Sequence, residues 1–146
     1  MSISPITDRL YIGAMPRTDD AAKLLELNVR LILNMIFHVP EKVFLQPPFR
    51  MITLSTFDMV FLPIPMRKLW KGVKEALPVI DKGESVLVYC HKGRHRSVAM
   101  AACILIAGGS TSDEAMRLIA GKRPVADPYA WHIQRRIRGF EAEWKR

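Results

Sequence analysis

The segment Val86-Leu87-Val88-Tyr89-Cys90-His91-Lys92-Gly93-Arg94-His95-Arg96-Ser97 constrains the fold more than any other part of the chain. The apolar run Ser85–Tyr89, preceded by Lys82-Gly83, has the pattern of a buried central strand. Ser97 then opens a small-residue-rich apolar helix through Ala107, which stops at Gly108-Gly109. Only a tight turn fits between the two, and Gly93 supplies the backbone freedom such a turn needs. Chance places a cysteine with glycine three residues on and arginine six residues on about 0.01 times in a chain of this composition.

The chemistry of these residues fits that geometry. A short loop from a strand end to a helix start turns backbone N–H groups inward and makes a nest for an anion. Arg96 can fork two donors onto two phosphate oxygens. The same positive field lowers the pKa of Cys90, so a thiolate is available near neutral pH to attack phosphorus. Ser97 is placed as a helix N-cap. Cys103, among Ala, Ile and Leu, reads as core.

The remaining segments set the architecture. Thr18-Asp19-Asp20 opens a short helix through Leu27, and Val29–Met35 reads as a buried strand. The stretch from Pro40 to Pro65 holds five of the ten prolines and reads as loop with one short strand, Arg50–Leu54. Met66, Leu69, Trp70, Val73, Leu77 and Ile80 recur at helical spacing after Pro65, with Pro78 expected to kink or end that helix early. Asp81 beside Gly83 reads as turn chemistry. Thr111 and Glu114 form a capping box for a helix carrying Ala115, Met116, Leu118 and Ile119. Asp127-Pro128 is expected to start the last helix, with Ala130, Ile133, Ile137, Phe140 and Trp144 on one face. Alternation of strands and helices predicts a three-layer α/β/α sandwich around a mostly parallel sheet, one domain over residues 1–146.

Composition narrows the class. With 49% hydrophobic and 25% charged residues the chain is globular rather than disordered or fibrous. Two cysteines are too few for a disulfide framework, and the Met1–Gly13 start has no apolar signal-peptide core. The longest nearly apolar run, Val98–Gly109, is 12 residues, too short to span a bilayer. A soluble, cytoplasmic protein is expected. The 22 basic residues against 14 acidic give +8, which favours anionic partners such as phosphate esters, nucleic acid or acidic headgroups. Basic residues interleaved with aromatics, or a groove-reading motif, are lacking, so nucleic acid is not the expected partner.

The chain resembles the cysteine-based protein phosphatases, in particular the small dual-specificity phosphatases. Their signature Cys-x-x-Gly-x-x-Arg-Ser/Thr is met by Cys90, Gly93, Arg96 and Ser97. Looser likeness runs from Leu10-Tyr11-Ile12-Gly13 to Trp144, through Leu31-Ile32-Leu33-Asn34 and Lys122-Arg123-Pro124. The resemblance implies a protein-tyrosine-phosphatase-like fold and a phosphocysteine intermediate, with no metal or other cofactor. It implies Cys90 as nucleophile, Arg96 as phosphate clamp and Ser97 as donor to the sulfur. His91, Lys92, Gly93, Arg94, His95 and Arg96 are then the phosphate-binding loop. The family takes its general acid from a loop about thirty residues upstream, which points to Asp58, 32 residues before Cys90 and the only acidic residue between Lys42 and Lys74.

Two departures from the family stand out. Tyr89 replaces the histidine that usually precedes the nucleophile and supports the loop. The loop interior, with His91, Lys92, Arg94 and His95, resembles the lipid- and inositol-directed relatives. The expected substrate is a phosphorylated protein or peptide, with a phosphoinositide or phospholipid as the alternative. A rhodanese-like sulfurtransferase would leave Asp58, Arg96 and Ser97 without a common role. A phosphate-binding module without turnover is the third reading. Two histidines, His91 and His95, with no further Cys/His pair do not make a zinc site. Oligomeric state is left open.

Overall fold

A computed structural model describes residues 1–146. The strands are β1 (Ile3–Pro5), β2 (Leu10–Gly13), β3 (Val29–Asn34), β4 (Arg50–Thr53) and β5 (Ser85–Tyr89). They form one sheet in the order β1-β2-β5-β3-β4. β2, β5, β3 and β4 run parallel, and β1 pairs antiparallel with β2 at one edge. Pro5 is tolerated there because an edge strand leaves one row of N–H groups unused. The β1–β2 pair had no separate expectation from the sequence; three- and four-residue strands give too little alternation to read.

The helices are α1 (Ala21–Glu26), α2 (Met66–Asp81), α3 (Arg96–Ala107), α4 (Ser112–Lys122) and α5 (Trp131–Trp144), and short 3₁₀ turns cover Thr18–Asp20 and Lys42–Leu45. α2 and α3 pack on the central strands, α4 and α5 pack against α3, and α1 packs on β3. The architecture is therefore the α/β fold with a mostly parallel sheet that the alternation predicts. Its core is a cluster of 38 buried apolar residues. No helix is long and apolar enough to cross a membrane.

Two helix boundaries differ from expectation. Pro78 neither ends α2 nor stops it early: the helix runs on to Asp81. Proline deletes one backbone donor, while buried Val79 keeps the last turn packed and the Pro78 carbonyl accepts from Lys82 N at 3.1 Å. Asp127 does not cap α5, which begins at Trp131 after Ala130. Its backbone N–H instead donates to the Arg94 carbonyl at 3.0 Å, tying the approach to α5 onto the loop after β5. The Thr111–Glu114 capping box forms as expected, with Glu114 N donating to Thr111 Oγ1 and Thr111 N to Glu114 Oε1.

β5 lies between β2 and β3, and all five of its residues are buried. Its carboxyl end therefore opens at the middle of the sheet edge, the place where parallel α/β folds bind ligands. The segment after β3 is drawn to the same edge, since Met35 N donates to the Tyr89 carbonyl at 3.0 Å. Thr56 N in turn donates to the Met35 carbonyl at 3.0 Å, bringing the segment after β4 alongside.

Candidate active site

Residues 90–95 turn between β5 and α3 around Cys90, which is 3% exposed at the floor of a cavity of about 370 Å³. Asp58, His91, Lys92, Arg94, His95 and Arg96 line that cavity with it. Gly93 has φ +65°, and a Cβ there would stand 2.6 Å from the Arg123 guanidinium and 2.8 Å from the Gly13 carbonyl oxygen. Only glycine fits that position.

Burial alone pushes the Cys90 thiol up. Against it, the Ser97 hydroxyl and the backbone N–H groups of Ser97, Arg94 and Gly93 bring it below the ordinary thiol value. Ser97 does not cap α3, which starts at Arg96 after His95; its side chain turns to the cysteine instead, with the oxygen 3.2 Å from the sulfur. Donors thus converge on one atom at the start of α3, the arrangement that favours a thiolate. Arg96 donates from one terminal nitrogen to the Thr56 carbonyl at 2.8 Å, while its Nε is buried without a partner. One edge of the guanidinium is anchored to the 56–62 loop.

Asp58 is brought from that loop to the mouth of the cavity. One carboxylate oxygen is 2.8 Å from His95 Nδ1 and the other 2.8 Å from His132 Nε2. Burial pushes this carboxyl up, but the hydrogen bonds from His132 and His95, together with their charges, hold it below the usual carboxylate value. The donor atoms of Asp58, His95 and His132 all lie within 4.8 Å of one another, a ligand set that fits a divalent metal. Nothing in the sequence pointed to His132, which reaches the site only because α5 folds back over the loop.

Arg123 is the second residue that sequence spacing did not single out. It is 2% exposed and spends its guanidinium on the protein itself. Nε donates to the Gly93 carbonyl at 2.8 Å and one terminal nitrogen to the Lys92 carbonyl at 3.0 Å. The other reaches Ser4 Oγ at 3.0 Å. It fastens the loop to the β1–β2 edge.

Tyr89 does not replace a histidine in kind. Its hydroxyl lies 2.8 Å from His38 Nε2, so support comes from a pair that bridges β5 to the segment after β3. Burial, then the charge of His91, holds His38 below its ordinary value, and burial pushes Tyr89 up. Cys103 is buried and unpaired, as a core residue on α3.

No family model and no curated protein matches the sequence. Solved structures do. PTPMT1 is 28% identical over 98% of this chain and 96% of its own, with a TM-score of 0.83. PTPMT1 in complex with PI(5)P superposes equally well, at 25% identity over 99% and 97% of the two chains. Human DUSP28 matches at a TM-score of 0.88 over 100% and 97% of the chains, and at 19% identity carries the fold alone. The chain therefore has the fold shared by PTPMT1 and DUSP28.

Proposed function

We propose that this chain is a cysteine-dependent phosphomonoester hydrolase, one catalytic domain over residues 1–146 that acts through a phosphocysteine on Cys90. The observation that carries this reading is the Cys90 sulfur at the cavity floor, with the Ser97 hydroxyl 3.2 Å away and backbone donors around it.

In the first step the Cys90 thiolate attacks phosphorus while the ester P–O bond breaks, and the departing oxygen takes a proton from Asp58. Arg96 and the loop N–H groups hold the non-bridging oxygens as their charge is redistributed. A phosphate dianion in the cavity raises the neighbouring carboxyl, which offsets the pull of His95 and His132 and lets Asp58 carry that proton. In the second step water attacks the phosphocysteine and gives its proton back to Asp58. The S–P bond breaks, the Ser97 hydroxyl stabilises the departing thiolate, and inorganic phosphate leaves.

The substrate proposed first is a phosphorylated protein, with phosphotyrosine turned over faster than phosphoserine or phosphothreonine because a phenoxide leaves more easily. A second reading is supported by the exposed His91, Lys92 and Arg94 at the rim and by the likeness to a PTPMT1 structure holding PI(5)P. In that reading a phosphoinositide uses the extra charge. The deciding experiment compares kcat/KM for a phosphotyrosine peptide and a polyphosphoinositide, in the wild type and in Lys92→Ala/Arg94→Ala. A lipid advantage of about tenfold that the double variant erases selects the second reading. Equal loss on both substrates, or a peptide advantage, selects the first.

A further inference from the structure

The loop that carries Asp58 presents an apolar surface to solvent. Phe57, Met59, Val60, Phe61 and Leu62 are all about half exposed or more, and Phe61 is 90% exposed. Met59 and Leu62 pair across a tight turn, with Leu62 N donating to the Met59 carbonyl at 3.1 Å, so Val60 and Phe61 form its tip. Phe37 packs against Phe57 with ring centroids 4.7 Å apart and planes tilted by 35°, and Val39 nearby in sequence is 86% exposed. On the other flank Trp131 is 61% exposed, with the Arg135 guanidinium 5.3 Å above its ring. Val60 and Pro63 share a cleft of about 150 Å³ with Trp131, His132, Arg135 and Arg136.

The loop and the start of α5 lie beside the cavity, because Asp58, which lines it, is tied to His95 on one side and to His132 on the other. Clustered large apolar side chains are rarely left exposed unless something covers them. What surrounds them identifies the cover: His91, Lys92 and Arg94 on the loop and Arg135 on α5 are exposed, on a chain of net charge +8. An apolar tip with an aromatic flank inside a basic rim fits an anionic bilayer surface, where Phe and Trp enter the headgroup region while Lys and Arg meet the lipid phosphates.

We propose that the Phe57–Leu62 turn, with Phe37 and Trp131, is a membrane-docking face that presents the Cys90 cavity to an anionic lipid surface. The docking is peripheral, on a chain with no helix long and apolar enough to cross a membrane. The use of this face in turnover rests on the phosphohydrolase reading above, but docking itself needs no chemistry, so the two are tested apart.

The test is cosedimentation of the full chain with vesicles of phosphatidylcholine alone or mixed with phosphatidylglycerol, using wild type, Cys90→Ser, and Val60→Ser/Phe61→Ser. Hydrolysis of a soluble aryl phosphate is measured in parallel. Wild type and Cys90→Ser are expected to bind the mixed vesicles alike, to bind phosphatidylcholine far less, and to be released by salt. Val60→Ser/Phe61→Ser is expected to lose about tenfold or more of its vesicle binding and to keep soluble-ester activity within about twofold. Failure of the wild type to bind mixed vesicles, or binding that survives the double substitution, overturns the docking face and leaves the hydrolase reading standing. Sedimentation equilibrium showing a dimer that the double substitution dissociates also overturns it, giving the patch to a second copy. Vesicle binding without any ester hydrolysis supports docking and contradicts the hydrolase reading instead.

Discussion

His132, in the first turn of α5, holds Asp58 through a 2.8 Å contact that spans 74 positions of sequence. With His95 on the other carboxylate oxygen, the loop acid is clamped between two imidazoles that belong to different helix starts. The clamp sets both where Asp58 stands and how tightly it keeps a proton.

Removing one imidazole therefore moves the pH profile. The Asp58 carboxyl is depressed by its partners, so His132→Ala raises it towards the ordinary value. The alkaline limb of kcat, where Asp58 loses the proton it donates in the proposed mechanism, is expected to shift to higher pH. Asp58→Asn is expected to lose that limb and to lower kcat by about 10²–10⁴-fold on alkyl phosphates, with less effect on activated aryl esters. Profiles of kcat against pH on both ester types check this. An unmoved limb in His132→Ala, or equal losses on both esters in Asp58→Asn, contradicts the role given to Asp58.

Arg96→Lys keeps a charge and loses the fork. Its Nε is buried without a partner while a terminal nitrogen is anchored to the Thr56 carbonyl. Lysine offers one rotating ammonium in place of two fixed donors. A loss of about 10²–10³-fold in kcat/KM is expected, the size seen when one transition-state donor is removed. Steady-state kinetics on a soluble aryl phosphate measure it, and a loss below about tenfold excludes Arg96 as the clamp.

The parts of the site that the sequence disclosed are those that are neighbours in it. Cys90, Gly93, Arg96 and Ser97 fall within one strand–turn–helix unit, so residue type and spacing specify them together. Asp58 was legible only through family resemblance and as the only acidic residue between Lys42 and Lys74. His132 left no signal, and Arg123 showed only as part of the likeness at Lys122-Arg123-Pro124, with no role attached. Their meaning lies in contacts across 74 and 30 positions with segments that tertiary packing alone brings near. The Tyr89–His38 pair was hidden for the same reason, with 51 positions between the partners. For the fold, periodicity together with cap and turn residues located all five helices and three of the five strands, and failed where a rule concerns one residue: Pro78 inside α2 and Asp127 ahead of α5. Packing overrode the local preference at both places.

The Tyr89–His38 bond supports the fold without touching the sulfur. Tyr89→Phe removes a buried hydroxyl partner and is expected to cost about 1 kcal/mol, or about 3 °C in Tm. Because His38 is held below its ordinary value, its contribution to stability is present above the unfolded pKa and is lost as pH falls through the folded one. Thermal melts as a function of pH are expected to show wild type losing stability on acidification through about pH 6.5 more steeply than His38→Gln. Parallel curves for the two proteins contradict the assignment.

The proposed mechanism draws its nucleophile from Cys90 and its charge stabilisation from Arg96, so activity is expected to persist in EDTA. Vanadate, which mimics five-coordinate phosphorus, is expected to inhibit. Added Zn²⁺ is expected to inhibit as well, through Asp58, His95 and His132, whose donor atoms lie within 4.8 Å of one another. Relief of that inhibition in His132→Ala, read from dose–response curves, identifies the site. Activity that chelation removes and added metal restores contradicts the mechanism.

The central claim is a covalent bond between Cys90 and phosphorus. Acid quench during turnover of a phosphotyrosine peptide or a soluble aryl phosphate, followed by mass spectrometry of the peptide containing Cys90, tests it directly. The expected result is one phosphoryl group on Cys90 in the wild type, with neither adduct nor turnover in Cys90→Ser. Hydrolysis at the wild-type rate by Cys90→Ser, or turnover in the wild type with the phosphoryl group trapped on another residue, contradicts it.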